Sequence, residues 1–316
     1  MTRLTPEQFG IVVRELALML DAGEGDEFWR VMTMFAQGRF NRQLTEFPAH
    51  LQRAFAAAGR RRRKDYTVLL AELPQDAGFN LVTIGNLECD GKSFPLVKLV
   101  SLPPASPFAT QIPICLTAGI HGDEPDGVLA AHEFARRFAR SPALTQSYAL
   151  TIYPCLNPVG YERLTRENGS GKDLNREFGR ASAEPEVRLI EAELRTQTWT
   201  GFINAHSDYE SFGLYAYAAG PIISERLAKP ALFQASGIIP INTDPVIDGH
   251  PAELGIINQK FDGSLGPLSK SDPEPFDITL ETPNLFALHK RVEAQATAIE
   301  TILHEYRAVA SEGMYL

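Results

Sequence analysis

The stretch Ile112-Pro-Ile-Cys-Leu-Thr-Ala-Gly-Ile120-His121-Gly122-Asp123-Glu124-Pro125 decides how this chain folds. Residues 112–120 form a nearly continuous apolar run, which is typical of a buried strand. From Val128 to Phe138 the apolar side chains recur at helical spacing, and Pro125 suits the first turn of a helix. The polar turn between strand and helix carries His121 and Glu124. Because ligands in α/β folds gather where strands end and helices begin, these two side chains are the first candidates for a functional site.

Strands and helices alternate along most of the chain. Further strands are predicted at Tyr66–Leu70, Asn80–Ile84, Leu96–Leu102, Tyr148–Leu156, Phe202–Ala205, Phe212–Ala218 and Phe276–Leu280. Further helices are predicted at Glu184–Arg195 and Pro283–Val309, and Asp90-Gly91 is a turn signal between two strands. The alternation predicts an α/β fold with a mixed, mainly parallel twisted sheet flanked by helices.

The first 64 residues differ from the rest in charge and pattern. They carry 11 Lys and Arg against 7 Asp and Glu, a local charge of +4, so the remainder carries −13. Thr5-Pro6-Glu7-Gln8 has the spacing of a capping box at a helix start, and further helices are expected from about Asp26 and over Pro48–Ala58. We therefore predict a helical N-terminal extension over residues 1–64. The basic run Arg60–Lys64 is either a solvated linker or a site for an anionic partner.

Composition narrows the class of protein. The 316 residues are 44% apolar and 22% charged, enough for one large α/β domain with an appendage. The net charge of −9 argues against nucleic acid as a partner. Neither an apolar signal region nor a run of about 18 apolar residues is apparent, so we expect a cytoplasmic protein without a membrane span. The odd set of Cys89, Cys115 and Cys155 predicts buried free thiols rather than disulfides.

A third candidate ligand follows another short apolar run. His206 comes directly after Phe202–Ala205. Two histidines and one glutamate, with a fourth position open, are typical of a catalytic rather than a structural zinc site. A His-x-x-Glu pair alone is weak, since His250-Pro251-Ala252-Glu253 has the same spacing as His121 and Glu124. No strand leads into that second pair, and we predict that it forms loop surface or the rim of a pocket.

A polar stretch between these ligands carries three more motifs. In order they are Asn157-Pro158-Val159-Gly160-Tyr161, Arg166-Glu167-Asn168 and Asp173-Leu174-Asn175-Arg176. Guanidinium groups in such a segment can stabilise an oxyanion or bind a substrate carboxylate. Together with His-x-x-Glu before them and His206 after them, these motifs resemble the zinc carboxypeptidase family. The resemblance covers roughly residues 95–305.

The resemblance implies a role for each matching position. His121, Glu124 and His206 would hold Zn²⁺, and Arg166 would polarise the scissile carbonyl. Asn175 and Arg176 would bind the terminal carboxylate of the substrate. Residues 65–316 would then be a zinc carboxypeptidase-like catalytic domain.

The family also needs a carboxylate general base on a late strand. Glu281 ends the predicted strand that starts at Phe276, and Pro283 is expected to open the final helix. In this context Glu281 would take a proton from water and deliver it to the leaving amine. The tyrosine that digestive members carry on a mobile loop has no match among Tyr209, Tyr215 and Tyr217.

These expectations define a preferred function and two alternatives. The separation of 82 positions from Glu124 to His206 and the compact loop from Arg166 to Asn175 look more like bacterial members that act on murein-type peptides. We therefore expect a metallocarboxypeptidase acting on small or murein-type peptides. The related desuccinylases and aspartoacylases suggest an N-acyl amino acid deacylase instead. A non-catalytic metal-binding protein is the third alternative, although it would need neither Glu281 nor Arg166. The N-terminal helices could form a homo-oligomer, cover the site or bind a partner.

Overall fold

The computed structural model describes residues 3–57, 64–73, 78–103, 110–261, 265, 268–269 and 271–312. The helices are α1 (Pro6–Asp21), α2 (Gly25–Ala36), α3 (Ala49–Ala57), α4 (Tyr66–Ala71), α5 (Pro125–Arg140), α6 (Pro142–Ser147), α7 (Pro158–Arg163), α8 (Pro185–Leu194), α9 (Lys229–Ala235) and α10 (Leu288–Ser311). A π-helical segment, Ile223–Ala228, leads into α9, and 3₁₀ turns cover Leu44–Glu46 and Leu174–Arg176.

A mixed eight-stranded sheet forms the centre of the described structure. Its strands are β1 (Phe79–Cys89), β2 (Lys92–Ser101), β3 (Ile112–Ala118), β4 (Tyr148–Tyr153), β5 (Gly201–Asp208), β6 (Tyr215–Ala218), β9 (Ile256–Ile257) and β10 (Phe276–Pro283), and β7 (Val246–Ile247) with β8 (His250–Pro251) forms a separate antiparallel pair. The order across the large sheet is β1-β2-β4-β3-β5-β10-β6-β9. The predicted fold class is confirmed.

The four central strands, β4, β3, β5 and β10, run parallel to one another. Their carboxyl ends therefore meet at one edge of the sheet, where parallel strands place their functional residues. In the register of β5 against β10, Glu281 lies directly beside His206. The turn after β3 packs so tightly that a Cβ at Gly122 would lie 1.9 Å from the carbonyl carbon of Gly160. A side chain at Gly122 is thus excluded, and the His121 turn is held against the start of α7.

The N-terminal helical segment (residues 3–57) packs against the sheet domain. Val12, Leu16, Phe28 and Phe35 belong to the same apolar cluster as the buried residues of β3, α5 and α10. The capping box at Thr5 is present, since Thr5 and Gln8 exchange side chain to backbone hydrogen bonds. The division of the chain at residue 64 stays a prediction.

The basic run Arg60–Lys64 falls mostly outside the described residues. Arg60 to Arg63 lie outside them, whereas Lys64 is described and half-buried. The Lys64 backbone N–H donates to the carbonyl oxygen of Glu162 at 3.1 Å, and its ammonium lies 5.6 Å from the ring centre of Tyr161. Lys64 is therefore held against α7.

Two predictions of local structure are wrong. Residues Tyr66–Leu70, predicted as a strand, form helix α4, because Asp65 accepts the Thr67 N–H at its start and Tyr66 and Leu69 are buried at helical spacing. Pro283 does not open the final helix. It is the last residue of β10, since the next N–H, of Asn284, donates to the Asp208 carbonyl, and α10 begins only at Leu288.

Two expectations from composition can be compared with the structure. Cys115 and Cys155 are buried free thiols, as predicted, and Cys89 is also free but only partly buried. Within the described ranges, none of the helices has both the length and the apolar character that crossing a membrane requires.

Candidate metal centre

The fold brings the three predicted ligands together. His121 lies in the turn after β3, Glu124 directly precedes α5, and His206 projects from β5. All three are buried, and one potential ligand atom from each lies within 4.8 Å of the others. Residues far apart in sequence thus converge because β3 and β5 are adjacent parallel strands.

Glu124 lies between the two histidines. Its Oε1 is 2.7 Å from His121 Nδ1, and its Oε2 is 3.1 Å from His206 Nδ1. The Ser207 backbone N–H donates to Oε2 at 3.2 Å and fixes the carboxylate plane. Among protein groups alone, burial would lower the pKa of His121, but the carboxylates of Glu124 and Asp173 raise it to about 9. For His206, burial outweighs Glu124 and lowers the pKa.

Arg166 reaches the same point from the loop after α7. Its Nη1 lies 3.7 Å from Glu124 Oε1, and its Nε and Nη2 donate to Asp173 Oδ2 at 3.1 and 2.9 Å. Asp173 Oδ1 in turn lies 3.2 Å from His121 Nε2. Asp173 therefore orients both a candidate ligand and the arginine.

Glu281 is paired with His206 in the register of β10 against β5. It is 6% exposed and lines the same pocket as the three candidate ligands. Burial, together with the carboxylates of Glu124, Asp208 and Asp248, raises the pKa of Glu281 well above its ordinary value. A carboxyl group so placed can exchange a proton with a molecule in the pocket.

The pocket is small and polar. Its volume is about 200 Å³. It is lined by His121, Glu124, Arg166, Arg176, His206, Ser207, Asp208, Tyr209, Tyr215, Asp248, Phe261 and Glu281. Guanidinium groups and carboxylates thus face the same space, so a ligand that carries both charges would be complementary to it.

Most predicted site residues lie in this pocket, and one does not. Arg176 lines the wall, but Asn175 is absent from it, and its buried Nδ2 has no hydrogen-bond partner within the described parts of the chain. Sequence reasoning did not single out Asp173, Asp208 or Asp248. Asp173 stands inside the motif that gave Asn175 and Arg176, so its signal was available. Asp248 lies in the turn between β7 and β8, and Asp248-Gly249 signals a turn but not a functional site.

The three tyrosines after His206 are each held by a carboxylate. Tyr209 Oη donates to Asp123 Oδ2 at 2.6 Å, Tyr215 Oη to Asp208 at 3.0 Å, and Tyr217 Oη to Asp248 at 2.6 Å. Tyr209 and Tyr215 line the pocket. They therefore contribute fixed polar walls rather than a tyrosine on a loop that swings over the substrate.

The second His-x-x-Glu pair has a different environment. His250 pairs with Ile247 in the β7–β8 ribbon, and its ring lies 6.0 Å from that of Tyr217. Among the described residues, His250 and Glu253 belong to no group that could hold a metal ion. Asp248 in the same ribbon lines the pocket, whereas His250 and Glu253 do not, and Glu253 is exposed.

The donor set fits a divalent metal ion. Two imidazoles and one carboxylate, buried and convergent, match the ligands of catalytic zinc sites, in which a fourth position stays open. The three side chains line the same pocket as Glu281 and Arg166. His121, Glu124 and His206 are therefore a candidate metal centre with reactive groups beside it.

Comparison with known proteins agrees with this geometry. Residues 111–214 match the succinylglutamate desuccinylase/aspartoacylase catalytic domain family. Human carboxypeptidase D is 37% identical over a 93-residue alignment that covers 24% of this chain and 7% of that protein, and mouse carboxypeptidase D matches equally. The chain thus spans a small fraction of the length of the curated relatives it matches.

Solved structures share the fold over most of the chain. A candidate metallopeptidase from Shewanella amazonensis superposes with a TM-score of 0.63 at 24% identity, covering 76% of this chain and 91% of that one. A metallo-carboxypeptidase from Burkholderia cenocepacia gives a TM-score of 0.58 at 18% identity, covering 77% and 68%. The fold resembles that of metallo-carboxypeptidases, and within it residues 111–214 are similar to the desuccinylase/aspartoacylase catalytic domain, in agreement with the His-Glu-His centre.

Proposed function

We propose that this protein is a zinc-dependent hydrolase that cleaves an amide bond next to a free carboxylate, as a metallocarboxypeptidase acting on small or murein-type peptides. One observation carries the proposal: Glu281, Arg166 and Arg176 line the same pocket as the three candidate ligands. A binding protein without turnover would need the ligands but not this set of acid–base and guanidinium groups.

Each residue has a distinct task in the proposed reaction. A zinc ion held by His121, Glu124 and His206 would supply Lewis acidity to the carbonyl and to water. Glu281 takes the proton of the attacking water and returns it to the leaving amine. Arg166, fixed by two hydrogen bonds to Asp173, stabilises the negative charge that develops on the carbonyl oxygen. Arg176 binds the substrate carboxylate.

Asp208 and Asp248 favour a particular substrate within this class. They line the pocket together with the two arginines. A substrate residue with an ammonium group as well as a carboxylate would pair with both kinds of charge. Murein-type peptides supply such residues, and this chemistry supports them over purely apolar peptides.

A second candidate is an N-acyl amino acid deacylase. The match of residues 111–214 to the desuccinylase/aspartoacylase domain favours it. The pocket volume of about 200 Å³ also suits a single amino acid with a small acyl group. Both candidates use the same metal centre and base, so the substrate alone distinguishes them.

Product analysis tests these candidates directly. The zinc-loaded protein is incubated with short peptides, murein peptides and N-acyl amino acids, and the products are identified by mass spectrometry against Glu281→Gln as the control. Release of a carboxyl-terminal residue would establish the carboxypeptidase, and cleavage of N-acyl amino acids alone would establish the deacylase. Absence of any product from the whole panel would contradict both.

A further inference from the structure

Four charged side chains form a second buried group, which we term the buried charge cluster: Glu27 and Arg30 of α2, Asp126 of α5 and Arg291 of α10. None is more than 5% exposed. Arg291 Nη2 donates to Glu27 Oε2 at 2.6 Å, and its Nη1 lies 3.0 Å from Asp126 Oδ1. Arg30 donates to Glu27 through Nε at 3.0 Å and Nη2 at 2.6 Å. An unbroken series of contacts therefore runs from the N-terminal helical segment to the start of α5.

Asp126 connects this cluster to the strands that carry the site. It accepts a hydrogen bond from Ser207 Oγ at 2.7 Å and another from Thr282 Oγ1. Ser207 directly follows His206, and Thr282 directly follows Glu281. The backbone N–H of Ser207 also donates to the Glu124 carboxylate. One buried carboxylate thus holds the neighbours of a ligand and of the proposed base.

A second contact leads from the cluster to the pocket wall. The Arg30 guanidinium lies 5.2 Å from the ring centre of Tyr209, within the range of a cation–π contact. Tyr209 Oη lies 2.9 Å from the carbonyl oxygen and 2.6 Å from the carboxylate Oδ2 of Asp123, which precedes Glu124. The N-terminal helical segment is therefore connected to residues before and after Glu124. Arg30 is linked through Tyr209 to Asp123, and Glu27 is linked through Arg291 to Asp126.

The Glu27 carboxylate is needed to balance the two guanidinium charges of the buried charge cluster. The cluster contains two guanidinium groups and two carboxylates, and Glu27 is the carboxylate from the N-terminal helical segment. Burial alone would raise the pKa of Glu27, but Arg30 and Arg291 outweigh it and hold the pKa far below its ordinary value. Without this charge, Arg291 and Arg30 would compete for Asp126, which would loosen its hold on Ser207 and Thr282.

We propose that Glu27 is a positioning residue for the metal centre: by holding Arg291, it keeps Asp126 in contact with Ser207 and Thr282 and so fixes His206, Glu124 and Glu281. The N-terminal helical segment is then part of the support of the site rather than a separable appendage. This inference rests on the proposed metal centre.

Cobalt titration of the full chain tests the proposal, because Co²⁺ reports ligand geometry through its visible spectrum. Wild type is expected to bind one equivalent. Glu27→Gln is expected to weaken Co²⁺ binding roughly tenfold, at the lower end of the effect of outer-shell substitutions, and to shift the absorption bands. An unchanged affinity and spectrum in a folded Glu27→Gln variant would overturn the inference.

Glu15→Gln is the matched control. Glu15 also comes from the N-terminal helical segment, is 5% exposed, and contacts α10 through the Ala287 N–H at 3.1 Å and Lys290 Nζ at 2.6 Å. It does not contact Asp126 or Arg291 in the described structure. Its substitution should lower stability and leave the Co²⁺ affinity and spectrum at their wild-type values. An equal shift in both variants would mean general loosening and would also overturn the inference.

Thr282→Val covers the case in which Glu27→Gln does not fold. It removes the hydrogen bond that Thr282 Oγ1 donates to Asp126, on the side of the cluster that faces the metal centre, with little change in side-chain volume. Weaker Co²⁺ binding with shifted bands would support the inference, and wild-type behaviour would overturn it. Failure of wild type itself to bind Co²⁺ or Zn²⁺ would overturn the proposed metal centre, and this inference with it.

Discussion

Two groups of charged side chains in the described structure differ in balance and in access. The metal centre and its surroundings place Glu124, Asp173, Asp208, Asp248 and Glu281 around Arg166 and Arg176 and open into a pocket. The buried charge cluster pairs two arginines with two carboxylates and is closed to solvent. An excess of carboxylates around an open pocket is complementary to a bound cation. In the closed cluster, by contrast, each charge is balanced by an opposite charge of the same cluster. The first group is suited to chemistry and the second to holding structure.

Removal of a ligand should have the largest effect. We expect His206→Ala to abolish stoichiometric zinc binding, because only one imidazole and one carboxylate would remain. Metal content after dialysis, measured by mass spectrometry, checks this. His250→Ala, which alters the other His-x-x-Glu pair, should retain full zinc. Full zinc in a folded His206→Ala variant would contradict the ligand assignment.

Loss of a charge from the closed cluster should also cost stability. Arg291→Met leaves Asp126 buried without its guanidinium partner, and we expect about 3–5 kcal/mol of lost unfolding free energy. Urea denaturation of the zinc-loaded proteins measures it. Arg226→Met is the comparison, because Arg226 pairs with Glu312 at an exposed site and should change stability by less than about 1 kcal/mol. Equal effects of the two substitutions would remove the distinction between the cluster and the surface.

The proposed base should affect turnover without affecting metal content. Glu281→Gln keeps the shape of the side chain but cannot accept the proton, so we expect at least about a 100-fold loss in kcat with zinc retained. Steady-state kinetics on the substrate found in the panel, with zinc analysis of the same samples, checks this. Near-normal turnover would mean that another group serves as the base.

A buried histidine outside both groups shows what burial alone does. Burial, reinforced by Arg136, lowers the pKa of His132 to about 4 from an unfolded value of about 6.5. The unfolded chain therefore binds the proton first, and stability is lost as the pH falls from 6.5 towards 4. At pH 5 the loss is about 2 kcal/mol relative to pH 8.

His132→Leu should remove that part of the pH dependence. The cavity beside His132 is also lined by Glu24, Glu72, Glu133, Arg136, His289 and Glu293, so the informative quantity is the difference between variant and wild type. Urea unfolding at pH 8 and pH 5 measures it. Parallel stability curves for the two proteins would show that His132 is not the group responsible.

The sequence was sufficient for those parts of the site that follow local patterns. The buried run before His121 and the short run before His206 predicted strands, and adjacent parallel strands then brought both histidines to one edge. Asp173 was harder to assign, because its contact with His121 spans 52 positions. The end of β10 was predicted wrongly at Pro283. The strand is extended by a hydrogen bond that the Asn284 N–H donates to the Asp208 carbonyl of β5, and sequence pattern near Pro283 does not reveal that partner.

The buried charge cluster was beyond the reach of sequence reasoning. Glu27 and Arg30 have the spacing of an ordinary surface ion pair on a helix, and nothing nearby distinguishes them from one. The contact of Glu27 with Arg291, 264 positions away, makes this pair part of the interior. Short-range pattern cannot reveal such a partner, because the burial of Glu27 depends on how α10 packs.

The start of α10 has a consequence for the order in which the molecule is made. Its first N–H groups, from Ala287 to His289, are capped by Glu15 and Glu24, which lie 264–272 positions earlier in the chain. During synthesis, α1 and α2 leave the ribosome long before the helix that their carboxylates cap. Contacts of such separation close slowly. The edge that carries His206 and Glu281 therefore gains its full support only after α10 has been synthesised, so the candidate site of a nascent chain stays incomplete until then.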